Sequence, residues 1–132
     1  MFRRIGFPLV APQVIPRSAM EVQEEIVEGI VVLRLDGEID LHVSPVLRET
    51  LQSKSSEKCP ALLFDFSKVR YIDSSGLATL IEYCRDIADY NGRMALCSLA
   101  PKVKMVFDLV RLNELFTIAD TQEAALAALA TP

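Results

Sequence analysis

The sequence predicts an α/β domain, with a mixed sheet of about five strands, mainly parallel at its centre, and about four helices packed against it. Three observations carry that expectation. "IVVLRLDG" (Ile30 to Gly37) is rich in β-branched residues, and "CPALLFDFS" (Cys59 to Ser67) is a short apolar run of the kind found in a strand covered on both faces. Downstream, Leu77, Leu80, Ile81, Cys84, Ile87 and Ala88 recur at the i, i+3, i+4, i+7 spacing of an amphipathic helix. Strand-like and helix-like segments then alternate in the order β-β-α-β-α-β-α-β-α, the order of parallel neighbours joined by helical crossovers.

The elements follow in turn. Met20 to Glu28 reads as an edge strand, and Glu28-Gly29 as the turn that pairs it with the next strand in a hairpin. In "GEIDLHVSPVLRETLQ" (Gly37 to Gln52), Ser44 is an N-cap candidate and Pro45 suits the first helical position, with Val46, Leu47 and Leu51 as the buried stripe. Lys54 to Lys58 is a polar connection into the central strand, which runs on through Val69 and Ile72. Asn91-Gly92 closes the second helix, glycine being suited to a left-handed cap. "RMALCSL" (Arg93 to Leu99) is a strand, and "APKVKMVFDLV" (Ala100 to Val110) a helix with Pro101 in its first turn. Its stripe of Met105, Val106, Leu109 and Val110 reads as core. "LFTIA" (Leu115 to Ala119) is a last short strand, and Asp120 with Glu123 resembles a capping box for an Ala/Leu helix.

The 132 residues fit one domain, able to bury roughly two-thirds of its unfolded surface. With 51% hydrophobic residues the chain is no disordered segment. Fourteen basic against 18 acidic residues, a net charge of −4, argue against a nucleic-acid partner, which demands a basic face. Cys59, Cys84 and Cys97 form no CxxC pair and read as reduced thiols of a cytoplasmic protein. No apolar run reaches the ~18 residues of a membrane span, so direct membrane insertion is not expected. Residues 1–18 carry Arg3, Arg4 and Arg17 without an acid, but Pro8, Pro12 and Pro16 break any signal-peptide helix. They read as a loosely ordered leader before a domain at 19–132.

The chemistry turns on "RYIDSSGLATLIEYC" (Arg70 to Cys84), where an apolar strand stops at an acid, a tight turn follows, and a helix begins. A serine nucleophile needs a base and an orienting acid. The one histidine, His42, suits a surface or capping role, and no G-x-S-x-G surrounds Ser74 or Ser75. Asp36, Glu38 and Asp40 alternate without the other ligands of a calcium loop and belong most simply to a solvated turn. Neither common nucleotide-binding glycine motif is present. The expectation is a protein without catalytic activity, metal or cofactor. Tyr83 and Tyr90 are expected at a core edge or on the surface.

A hydroxyl at a helix N-terminus lies among unpaired backbone N–H groups and the positive end of the helix dipole. A phosphate on Ser74 would therefore be tolerated by the fold, yet it would add about −1.5 to −2 charge to the surface. Such a turn suits a switch whose fold stays put while its interface changes sign. On these residues alone, the simpler reading is that Ser74 and Ser75 cap the helix.

Three successive blocks, "GEID" (Gly37 to Asp40), "FDFSKVRYIDSSGLATL" (Phe64 to Leu80) and "LAPKVKMVFDLVRLNELFTI" (Leu99 to Ile118), resemble the STAS family, which includes bacterial anti-sigma-factor antagonists. The resemblance covers about residues 20 to 130. It implies a single STAS-like domain that binds an anti-sigma factor, itself a serine kinase of histidine-kinase-like fold, and is released by phosphorylation of a serine that a PPM-type phosphatase restores. Residue by residue, Ser74 matches the phosphorylated serine. Asp73 stands beside it, Asp40 matches an acid near it, and Ser75 and Gly76 complete the partner-binding turn. In the third block, family members often place a small residue and a glycine where this chain has Val110 and Arg111, and arginine disfavours the left-handed turn that glycine permits. Other STAS domains are non-phosphorylated subunits of membrane transport machinery, including lipid-handling ABC systems, or of signalling scaffolds. That is the rival reading.

Overall fold

The computed structural model describes residues 20–130 in full and the backbone of residues 2–5. Among these residues one sheet has six strands in sequential order: β1 (Phe2–Ile5), β2 (Glu21–Val27), β3 (Ile30–Ile39), β4 (Ala61–Ile72), β5 (Arg93–Cys97) and β6 (Thr117–Ala119). β1, β2 and β3 pair antiparallel, while β3 to β6 pair parallel. The helices are α1 (Ser44–Ser56), α2 (Ser74–Ala88), α3 (Pro101–Leu109) and α4 (Gln122–Ala130). The mixed, centrally parallel α/β domain with its five strands and four helices is therefore as expected, with β1 added at the edge.

That addition lies inside the leader. Phe2 to Ile5 run beside Glu25 to Val22 and satisfy backbone groups that β2, expected as the edge, would otherwise leave open. The rest of the leader lies outside the described residues.

β2 and β3 are joined at Glu28 and Gly29, with φ of 54° and 82°. Two consecutive positive φ angles give the turn whose twist matches a hairpin. β3 and β4 then diverge from simple register, with irregularities between Arg34 and Asp36 and between Gly37 and Glu38. Gly37, at φ 131°, supplies a conformation that other residues rarely adopt. The outcome sets Ile39 beside Ile72, so both strands end together. Asp36 and Glu38 are thus strand residues, not the solvated turn expected of them, because β3 continues through Gly37.

Two apolar clusters sandwich the sheet. On one face, Leu35, Leu62, Phe64, Phe66 and Leu96 pack beneath Leu47 and Leu51 of α1, Leu80 and Ile87 of α2, and Val103 and Phe107 of α3. On the other, Val32, Leu63, Ala95 and Cys97 meet Ala125, Leu126 and Leu129 of α4. Tyr83 is fully buried, edge-on to Phe64 with ring centroids 6.0 Å apart, rather than at a core edge or on the surface.

Several local expectations are corrected. Val43, not Ser44, is the N-cap of α1, since Ser44 has already entered the helix and its hydroxyl points elsewhere. The left-handed residue after α2 is Asn91, at φ 60°. Gly92 is needed for space, because a Cβ there would lie 2.8 Å from Ile87 Cβ. Thr121, not Asp120, caps α4, accepting the Ala124 amide at 3.1 Å. Of the expected α3 stripe only Val106 packs, partly buried, against the core. Met105, Leu109 and Val110 are exposed, and Val103 and Phe107 take the core, where Phe107 stacks edge-on against Phe66 and Phe116.

Candidate functional site

Because β3 and β4 stop side by side, the two chains that leave them meet. The Asp73 amide donates to Ile39 O at 3.1 Å, a last sheet-like bond that places the DSSG turn against "GEID". Asp73 is extended (φ −109°, ψ −174°), and its Oδ1 accepts the amides of Ser75 at 2.9 Å and Gly76 at 3.1 Å. The acid, and not either serine, is therefore the N-cap of α2. Ser74 and Ser75 are its first two helical residues.

Ser75 Oγ also donates to Asp73 Oδ1, at 2.6 Å. A second hydroxyl, Ser44 Oγ, lies 2.9 Å from Ser75 Oγ and 2.8 Å from Asp40 O, and its single proton can be given to either: to Ser75, whose own proton goes to Asp73, or to Asp40. Asp40 Oδ1 in turn accepts the His42 amide at 2.9 Å and the Val43 amide at 3.3 Å. The starts of α1 and α2 are thus joined through Asp40, Ser44, Ser75 and Asp73. Burial draws the Asp73 pKa upward, but hydrogen bonds from the Ser75 hydroxyl and from the Gly76, Ser75 and Leu41 amides outweigh it and hold the pKa below the usual carboxylate value.

Gly76 lies under the turn. A Cβ there would approach Ile39 Cγ2 to 2.7 Å and Ile72 Cγ1 to 2.8 Å, so glycine is what lets α2 start this close to both strands. It is buried, so its part in the turn is to make room beneath it. Ser74 has the opposite environment. Its side chain is exposed and takes no part in the bonds among Asp40, Ser44, Ser75 and Asp73. Asp73 occupies two amides of the helix N-terminus on which a phosphate at Ser74 is expected. An anion on Ser74 would stand beside a carboxylate, outside that cradle.

Three contributors were not read from the sequence as parts of this site. The sequence around Ser44 reads as a cap, and the signal of its role here, a second hydroxyl facing the DSSG turn, exists only once the strands are in register. Leu41 and Tyr71 flank the turn with exposed apolar side chains. For Leu41 the signal was available, in an apolar residue set between Asp40 and His42 where no stripe needs it.

A family model described as the STAS domain matches residues 21–125. The chain belongs to the STAS domain family. Among STAS relatives, the anti-sigma F factor antagonist of Paenibacillus polymyxa is 27% identical over 111 residues, spanning 83% of this chain and 95% of that one. An anti-sigma factor antagonist from Mycobacterium paratuberculosis has a solved structure with a TM-score of 0.80 at 24% identity, covering 89% of this chain and 99% of its own. The Bacillus cell fate determinant SpoIIAA, solved in its phosphorylated form, shares the fold with a TM-score of 0.65 at 24% identity, covering 84% of this chain and 99% of its own. Among the described residues, no helix of this STAS domain is long and apolar enough to cross a membrane.

Proposed function

We propose that the protein is an anti-sigma-factor antagonist, which binds an anti-sigma factor and is switched off by phosphorylation of Ser74. The observation that carries this reading is the exposed Ser74 side chain at the first turn of α2, uninvolved in the bonds that build that turn. The antagonist of Paenibacillus polymyxa, similar across most of both chains, supports the same class of function. The proposed partner is a serine kinase of histidine-kinase-like fold, and a PPM-type phosphatase restores the hydroxyl.

Charge explains the switch. A phosphate at Ser74 adds about −1.5 to −2 units beside Asp73, whose carboxylate already holds the amides that would otherwise neutralise it. The fold has no reason to change, since Ser74 supports none of the turn's bonds. A partner fitted to a neutral hydroxyl between two acids meets a strongly anionic face instead. The residues proposed to meet the partner are Asp40, Asp73 and Ser75 around Ser74, with Gly76 setting the height of the turn.

The test is a paired capture from the source organism, with wild type, Ser74→Ala and Ser74→Asp as baits. An ATPase-fold anti-sigma factor should be retained by wild type and Ser74→Ala and lost with Ser74→Asp, by a factor of about ten or more. Mass spectrometry should find phosphate on Ser74. Equal capture of transporter subunits by all baits, with Ser74 unmodified, would instead identify a non-phosphorylated transport or scaffold subunit.

A further inference from the structure

Two large apolar side chains beside Ser74 are left uncovered by the protein: Leu41 is 69% exposed and Tyr71 49% exposed. Neither sits on a slack loop. The amides of His42 and Val43, which follow Leu41, are held by Asp40 Oδ1. Tyr71 lies on β4 opposite Glu38, next to Ile72 in the core. A backbone fixed in this way adds little ordering cost on association, so burying its side chains returns more of the hydrophobic gain as affinity. Tyrosine is also among the residues that most often dominate interfaces.

The charges around the pair indicate what covers them. Glu38 lies opposite Tyr71 in register, Asp40 precedes Leu41, and Asp73 follows two residues after Tyr71. The cation next to Tyr71, Arg70, is paired with Asp36 at 3.5 Å. A fitting surface is therefore basic and carries apolar pockets. A second copy of the chain is a poor match. A two-fold contact here would bring the same acids face to face, on a protein whose net charge is already −4. Another exposed apolar group, Met105 and Leu109 on α3 with Val110 just after it, has Lys104, Asp108 and Arg111 as sequence neighbours, of both signs, and has no such signature. We infer that Leu41 and Tyr71 are the apolar anchors of the partner-binding face, inserting into a basic, apolar-pocketed surface of the anti-sigma factor. This rests on the reading of the Ser74 face as the one the partner meets.

The experiment measures, by calorimetry, affinity for the purified anti-sigma factor retained by wild-type bait. Wild type is compared with Leu41→Ser, Tyr71→Ser, Leu109→Ser and Ser74→Asp, all at exposed positions and each checked for folding by circular dichroism. Leu41→Ser and Tyr71→Ser should each weaken binding about tenfold or more, and Leu109→Ser less than about twofold. The inference is overturned if the first two stay within about twofold of wild type, or if Leu109→Ser costs as much as they do. It is also overturned if wild type self-associates in sedimentation, Leu41→Ser abolishes that, and affinity for the anti-sigma factor is unchanged. Loss with Ser74→Asp alone would keep the phosphorylation switch and reject the anchors. Loss with Leu41→Ser and Tyr71→Ser but not with Ser74→Asp would keep the anchors and reject the switch. A wild type that retains no anti-sigma factor would overturn both.

Discussion

The Ser75 hydroxyl donates to the Asp73 carboxylate at 2.6 Å, so the two side chains that bracket Ser74 are bonded to each other across it. Adjacent serines that look equivalent in "DSSG" therefore differ in kind. Ser75 is spent on architecture, through Asp73 on one side and Ser44 on the other. Ser74 alone projects a free hydroxyl, and the carboxylate beside it keeps its charge because the helix N-terminus and Ser75 both stabilise the anion.

Asp73 is expected to contribute a measurable part of the domain's stability as a cap. Asp73→Ala should lose about 1 kcal/mol, and Asp73→Asn less, since the amide oxygen can still accept from Ser75 and Gly76. The sign of the pH dependence follows from the lowered pKa. A carboxylate whose folded pKa lies below its unfolded value contributes fully above the unfolded value and loses that contribution as pH falls towards the folded one. The gap between wild type and Asp73→Asn in urea melts should be largest near pH 7 and shrink by about pH 3. A gap that grows on acidification would contradict this account of the cap.

Gly76→Ala should destabilise the domain by about 1–3 kcal/mol, because the added methyl meets β-branched side chains rooted in β3 and β4. The contacts in question are Ile39 Cγ2 at 2.7 Å and Ile72 Cγ1 at 2.8 Å, with Ile39 O behind them at 3.1 Å. Ile39→Ala, which removes Cγ2, should cost less in the Gly76→Ala background than it does alone. Thermal denaturation of the single and double variants decides it, and additive effects would mean the two sites do not touch as described.

Much of this arrangement was legible because local signals agree with tertiary need. Glu28-Gly29 reads as a hairpin turn, and the spacing from Leu77 to Ile87 reads as a helix whose buried face is the one observed. What resisted reading is set by neighbours distant in sequence. Three polar residues in a row, Asp73, Ser74 and Ser75, can each cap a helix, and the bond from the Asp73 amide to Ile39 selects the first. α3 is apolar on much of its circumference, so Val103 with Phe107 and Met105 with Leu109 are equally good stripes until the sheet and Phe66 choose between them. Ser44 and Leu41 belong to the site only because the irregular pairing of β3 with β4 brings both strands to a common end.

Arg111 marks a place where sequence reasoning and structure part in an instructive way. The glycine common in the family permits a left-handed turn, and Arg111 adopts that turn regardless, at φ 61° and ψ 28°. Leu112 and Phe116 just beyond it are buried, and their packing against the core holds the backbone in place. The strain should be recoverable. Arg111→Gly is expected to raise stability by up to about 1 kcal/mol, offset in part by the greater freedom of glycine in the unfolded chain. A lower melting temperature for that variant would count against a strained left-handed residue here.

The charged cluster on the α4 side of the sheet gives the last test. Arg34 donates to Asp65 at 2.6 Å, to Gln122 at 2.7 Å and to Glu25 at 2.5 Å, so one guanidinium ties β2, β3, β4 and the start of α4 together. Asp65 is nearly buried, and its other oxygen accepts the Ser67 amide. Losing the cation leaves that carboxylate with a desolvation cost and less compensation, which for a partly exposed hub implies a loss of about 2–3 kcal/mol in Arg34→Met. Arg34→Lys should recover only a fraction, because an ammonium on a flexible stem cannot present a planar fork to three acceptors at once. Urea unfolding of both variants measures this. Full recovery by lysine would show that charge alone, and not the fork, holds the four elements together.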